Sequence, residues 1–217
     1  MVVALLLRAA TAHAQYVNRF TTITNGAITF TGNTLGLSKA VGLNQAGTSD
    51  AIGTFTTINT ALQVPTYPPG TTLAFAQNSA SATLNLPAGS TVLYAELTWG
   101  GSYGFGGQDV SGSRNNSITL IDPSGKSSTI SPDPTFQRQL GSPATGTCTS
   151  TSFYVRTAKV TNQIVAGGAG TYTVGSVPAT DGASDNTNNC AGWTLAVVYR
   201  NFSLRWQANG VKRKRRT

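Results

Sequence analysis

The fold is decided by one stretch near the end of the chain, Cys190-Ala191-Gly192-Trp193-Thr194-Leu195-Ala196-Val197-Val198-Tyr199-Arg200. An apolar run this short, rich in valine and aromatic residues, predicts a buried β-strand rather than a helix. Alternation along a strand places Leu195, Val197 and Tyr199 on one face, and Ala196 and Val198 on the other. Because both faces are apolar, we expect this strand to lie centrally in a sheet.

A second core strand is predicted over residues 91–99, where Leu93, Ala95, Leu97 and Trp99 share a face. Residues 27–31 alternate as expected of a half-buried strand. Residues 117–122 and 127–130 predict a hairpin over a turn with Pro123 at its second position. Residues 160–166 predict one helical turn, and the prolines of residues 131–146 predict a loop.

The composition extends this reading to the whole chain. Its 217 residues include 24 glycines, and only 10% of them are charged. So few charges exclude a solvated helical bundle, and 39% hydrophobic residues exclude a disordered chain. About ten short strands without intervening helices predict an all-β fold, an antiparallel β-sandwich or jelly roll with little or no helix.

The first fourteen residues predict a secretory signal peptide. An apolar run is followed by Ala12 and Ala14 just before Gln15, as at a signal-peptidase site. The basic start is missing and Arg8 interrupts the run, so we expect a truncated leader; an ordinary N-terminal strand is the alternative. We expect a secreted or cell-surface protein without a membrane span, because no segment approaches about 20 apolar residues.

The two cysteines fit an exported protein. An even count in such a chain predicts one disulfide, between Cys148 and Cys190. The bridge would stabilise the fold by roughly 4 kcal/mol in the chain-entropy model. Two separate buried thiols are the alternative.

Three segments resemble the N-terminal region of large bacterial secreted or cell-surface proteins that carry the conserved repeat domain of unknown function. The segments are residues 25–39, 95–101 and 192–199, and the likeness spans roughly residues 15–201. The resemblance implies an extracellular, adhesin-like or structural module that is normally followed by more of the same domain and then by repeats.

The chain departs from that family after Asn201. Residues 202–217 lack strand alternation and end in a basic cluster, so we expect a disordered tail that arises from a frameshift or truncation. Six of the 15 basic residues lie in the last thirteen positions, so the net charge of +8 describes the tail. Nucleic-acid binding by a capsid-like protein through this tail is one alternative function.

Catalysis is not expected. The single histidine, His13, would leave with the leader, which removes the base for Ser–His or Cys–His chemistry. A glycosidase needs two carboxylates across one cleft, and the pairing weighed is Glu96 with Asp109. Glu96 is expected to face solvent or to pair with Arg156 or Arg200. We predict a non-catalytic module and no enzyme.

Two loops are candidate ligand sites. Tyr103, Phe105 and Asp109 combine aromatic and polar groups in a glycine-rich loop, which suggests a lectin-like carbohydrate site; packing at an end of the sandwich is the alternative. Asp181, Asp185 and Asn186 belong to an oxygen-rich loop that could hold Ca²⁺, although its spacing matches no EF-hand and a solvated turn is the alternative. Cell-surface components or glycans are the expected partners, and no other cofactor is predicted.

Overall fold

The computed structural model describes residues 17–38, 52–62, 69–105, 108–140, 152–181 and 189–204. Within them, the chain forms thirteen strands, one α-helix and two short 3-10 turns. The strands are β1 (Gly26–Thr34), β2 (Gly36–Ser38), β3 (Ile52–Thr56), β4 (Thr71–Thr72), β5 (Ser79–Leu84), β6 (Thr91–Phe105), β7 (Gln108–Asp109), β8 (Ile118–Ile121), β9 (Ser127–Ile130), β10 (Gln137–Leu140), β11 (Ser152–Lys159), β12 (Gly170–Gly175) and β13 (Ala191–Arg200). The helix α1 is Thr161–Gly167.

The strands form three antiparallel sheets. A six-stranded sheet has the order β1-β13-β6-β11-β10, with β7 added to the end of β6. A four-stranded sheet has the order β5-β12-β8-β9, and a three-stranded sheet the order β2-β3-β4. The all-β prediction is therefore confirmed.

β13 lies inside the six-stranded sheet, as its apolar sequence predicted. It pairs along its whole length with β6, where Trp193 opposes Trp99, and on its other side with β1. Trp193, Leu195, Val197 and Tyr199 are buried, whereas the residues between them are only partly covered. This strand therefore gives one face to the core and one to the outside.

The core lies between the six-stranded and four-stranded sheets. Leu97, Trp99 and Leu195 from the first sheet belong to one cluster with Leu120, Tyr172 and Val174 from the second. Along one side the sheets are also joined by side chains of β1, because Thr31 and Asn33 donate hydrogen bonds to the carbonyls of β5. The two sheets form a β-sandwich.

The predicted face of β6 is wrong at its start. The register between β13 and β6 shifts where Tyr199 opposes Val92 and Val198 opposes Tyr94, so Leu93 is an extra residue in β6. A bulge of this kind reverses the alternation on one side of it. Val92 packs against the core, and Tyr94 lies on the outer face with Glu96.

Three local predictions have clear outcomes. β8 and β9 form the predicted hairpin. The helical turn is confirmed as α1, which ends before Gly168, a residue with φ of 68° that glycine adopts without strain. The predicted loop over residues 131–146 is wrong in part, since β10 lies within it and pairs with β11.

Candidate binding face

The outer face of the six-stranded sheet carries side chains in rows that cross the strands. One row runs through Gly32, Thr194, Thr98 and Thr157, which are register neighbours on β1, β13, β6 and β11. The next row runs through Thr34, Gly192, Gly100 and Val155. The three glycines carry no side chain, and the surface is therefore depressed where the two rows meet.

This depression is a shallow groove of about 650 Å³, which we call the sheet-face groove. Phe30 of β1 borders it on one side and Val155 of β11 on the other, while Thr34, Thr98 and Thr194 line its floor with the three glycines; Thr157 lies outside it. The lining residues carry no charge. The groove is a neutral channel across the two central strands.

The threonine hydroxyls of this floor are available for bonding. Among the described residues, no protein group bonds the hydroxyls of Thr194 and Thr98. The Thr157 hydroxyl also lacks a partner there, but it is shielded from solvent and does not face the groove. The hydroxyls that a ligand in the groove can meet are therefore those of Thr194 and Thr98.

Apolar side chains are exposed on the same face. Phe30 is 66%, Ile28 58% and Val155 43% exposed. The strand predicted over residues 27–31 is present, but its apolar side chains are not the buried ones. Ile28 and Phe30 point outward, and Thr31 bonds β5 at the edge of the sandwich. The pairing of β1 with β13 determines which side chains of β1 point outward, and β13 lies far away in the sequence.

The segment before β1 crosses the far end of this face and is held by Arg19. Its guanidinium contacts the Glu96 carboxylate at 2.9 Å and the Asp133 carboxylate at 3.2 Å, and it lies 3.6 Å from the ring centre of Phe136. Phe20 stacks on Tyr94 at 5.1 Å. Glu96 therefore pairs with Arg19. The predicted pairing with Arg156 or Arg200 is wrong.

Both carboxylates at Arg19 are held by donors. Asp133 accepts a hydrogen bond from the backbone N–H of Thr135, and this bond is the largest influence on its pKa. Arg19 adds a smaller effect in the same direction. Together they outweigh desolvation and keep the pKa of Asp133 below its ordinary value. Glu96 also accepts a bond from the Tyr94 hydroxyl, and burial followed by this bond raises the pKa of Tyr94. The two carboxylates anchor the N-terminal segment.

The structure separates Glu96 from Asp109, the two carboxylates of the candidate glycosidase pair. Asp109 opposes Gly104 near the end of β6, and Glu96 lies about 26 Å away at the strand's rise per residue. Asp109 is exposed and accepts a bond from the backbone N–H of Ser111, which lowers its pKa. That distance is far beyond the separation used for glycoside hydrolysis.

The predicted carbohydrate loop is described in part. Tyr103 is completely buried in the core, with the Arg114 guanidinium 4.5 Å from its ring centre, so it cannot stack on a sugar. The side chain of Phe105 lies outside the described residues. A role for Tyr103 in ligand binding is corrected to one in packing.

The predicted calcium loop is described only at its start. Asp181 is buried, and Gln108 bonds both its carboxylate and its backbone N–H. Asp185 and Asn186 lie outside the described residues. Among the residues that the structure describes, no group of three His, Cys, Asp or Glu side chains could hold a metal.

Cys190 lies immediately before β13, where its backbone N–H bonds the hydroxyl of Ser102. Its predicted partner Cys148 lies outside the described residues, so the disulfide stays a prediction. The same holds for the signal peptide and for the basic tail from residue 205 onward.

Within the described part of the chain, no helix is long and apolar enough to cross a membrane. Comparison of the chain with protein-family models, with curated proteins and with solved structures finds no match in any of the three.

Proposed function

We propose that the chain is a non-catalytic, adhesin-like module of a secreted or cell-surface bacterial protein, and that it binds through the outer face of its six-stranded sheet. One observation carries the proposal: large apolar side chains are exposed on this face. Ile28, Phe30 and Val155 are on the strands of the sheet, and Val17 and Phe20 are on the N-terminal segment. Exposed apolar groups that gather on one surface are typical of interaction sites.

The acidic residues support a binding role over a catalytic one. The described carboxylates on this face, Glu96 and Asp133, are both bonded to Arg19. A general acid needs a carboxyl with a raised pKa, whereas that of Asp133 is lowered. The resemblance to the N-terminal region of repeat-bearing surface proteins agrees with an extracellular, adhesive role.

The test is co-sedimentation of the purified full chain with washed envelopes from a panel of Gram-negative and Gram-positive bacteria. We expect the unaltered chain to pellet with envelopes and Phe30→Lys to lower the bound fraction at least tenfold, because it places a charge in the apolar border of the groove. Leu73→Lys is the matched control, since Leu73 is 58% exposed and lies outside the six-stranded sheet.

The outcomes are decisive when both variants unfold at the same denaturant concentration as the parent. Retained binding by Phe30→Lys, equal loss in both variants, or no binding by the unaltered chain would each overturn the proposal.

A further inference from the structure

We propose that the sheet-face groove binds a neutral, unbranched, β-1,4-linked glycan that lies across the strands. This inference rests on the proposed function and names its ligand class. The ligand would cover the floor that contains Thr194 and Thr98 and would stack one sugar ring on Phe30.

The spacing of the threonine row fits a sugar polymer. Thr194 and Thr98 stand opposite each other on the adjacent strands β13 and β6, so their positions are about 4.8 Å apart across the sheet. A β-1,4-linked glycan is a flat ribbon whose sugar repeat is close to this interval. Successive sugars can therefore each meet one hydroxyl, which donates or accepts as the sugar requires.

The walls and the floor also suit a glycan. Phe30 exposes two thirds of its surface at the border of the groove, which leaves a ring face available for stacking. Gly192 and Gly100 lower the floor, so that a ring can approach the backbone of β13 and β6. Glycine is required at position 100 in any case, because a Cβ there would lie 2.3 Å from the Tyr154 carbonyl oxygen.

Charge favours a neutral ligand. The lining of the groove contains no cation to pair with a carboxylate, sulfate or phosphate. Burying such an anion without a partner is costly. A polymer that carries only hydroxyl and amide groups avoids this cost.

The pairing of the strands disfavours an extended peptide. Peptides that add to a sheet bond an unpaired edge strand. The unpaired edge of the sheet is at β1, on the border of the groove, whereas the floor lies on β13 and β6, which are both paired on their two sides, so the backbone groups of the floor are already used. Recognition there depends on side-chain hydroxyls and an aromatic ring.

The experiment is isothermal titration calorimetry of the full chain with chitohexaose, the neutral β-1,4-linked hexamer of N-acetylglucosamine, and with cellohexaose. The charged comparison is the β-1,4-linked hexamer of mannuronate. We expect at least one neutral hexamer to bind and the mannuronate hexamer to bind at least tenfold more weakly.

Substitutions then locate the site. Thr98→Val and Thr194→Val keep the branched shape but remove the hydroxyl, and we expect each to weaken binding about tenfold, the effect of one lost hydrogen bond. Thr129→Val on β9 is the matched control, because Thr129 is exposed on the other sheet. It should leave the affinity unchanged.

The results separate this inference from the proposed function. If Phe30→Lys abolishes envelope binding but no neutral hexamer binds, or if both threonine variants bind like the parent, the glycan is overturned and the binding face stands. Protease-treated envelopes should still bind the chain, and the hexamer that binds in calorimetry should compete for that binding; loss of binding after protease treatment, without competition by either hexamer, would assign a protein partner. A dimer that Phe30→Lys dissociates in sedimentation velocity, without glycan binding, would assign the face to a second copy of the chain.

Discussion

The inner and outer faces of the six-stranded sheet are made by the same strands, yet they differ in what they contribute. On β13, Leu195 is fully buried in the core, whereas the neighbouring Thr194 is exposed in the sheet-face groove. On β6, Leu97 is likewise fully buried, whereas Thr98 is half-buried and lines the groove. The comparison predicts that changes of adjacent residues alter either the stability of the core or the proposed binding face.

The largest effect expected from this comparison is on the inner face. Leu195→Ala should lower the free energy of unfolding by about 2–5 kcal/mol, because it leaves a cavity in a close-packed core. Thr194→Ala, one residue away, should change it by less than about 0.5 kcal/mol. Urea unfolding of both variants measures the difference, and equal losses would contradict the assignment of the two faces.

The next effect concerns the start of β13. Phe153 on β11 lies two strand intervals, about 10 Å, from β13, and the five residues from Cys148 to Phe153 can span up to about 17 Å. A Cys148–Cys190 disulfide is therefore within reach, and its reduction should lower the free energy of unfolding by about 2–4 kcal/mol. Mass spectrometry should show two hydrogens fewer in the oxidised chain than in the reduced chain; two free thiols under oxidising conditions would contradict the disulfide.

A smaller effect is expected where β6 approaches β11. Gly100→Ala should cost roughly 1–3 kcal/mol, since the new Cβ would meet the Tyr154 carbonyl and push the two strands apart. Gly112→Ala is the control, because a Cβ there has no neighbour within 4 Å. Thermal unfolding compares them, and an unaffected Gly100→Ala would mean that the strands are farther apart.

The smallest effect is at Arg19. Arg19→Ala should cost on the order of 1 kcal/mol at neutral pH, because the ion pairs are partly exposed, and Arg138→Ala should cost less. The pKa of Asp133 is lowered in the folded state, so its stabilisation is complete above the unfolded pKa of about 4 and is lost as the pH falls through the folded value. Denaturation at pH values from about 7 to 2.5 should therefore show the variant approaching the parent below about pH 4; a constant difference would contradict this role.

The sequence predicted the inner face much better than the outer one. The apolar run of residues 193–199 identified the central strand, since burial demands apolar residues wherever the strand pairs. Whether Phe30 points outward depends on the pairing of β1 with β13, which the local sequence does not reveal. The bulge at Leu93 and the edge strand β10 were missed for the same reason, as was the pairing of Arg19 with Glu96.

The sheet-face groove was not predicted from the sequence, which pointed to residues 103–109 instead. Tyr103 was selected because aromatic residues in glycine-rich loops often bind ligands, but β6 continues through this segment and buries the ring. The threonines that line the groove are ordinary strand residues in a threonine-rich chain. Only their alignment on neighbouring strands distinguishes them, and this alignment is a property of the sheet.

The most direct test of the separation between the two faces is a methyl-resolved nuclear magnetic resonance titration of the full chain with the neutral hexamer that binds. We predict that the methyl signals of Thr98, Thr194 and Val155 shift, while those of Leu97, Leu195 and Val197 stay in place. Shifts confined to the core methyl groups or to the four-stranded sheet would contradict the account.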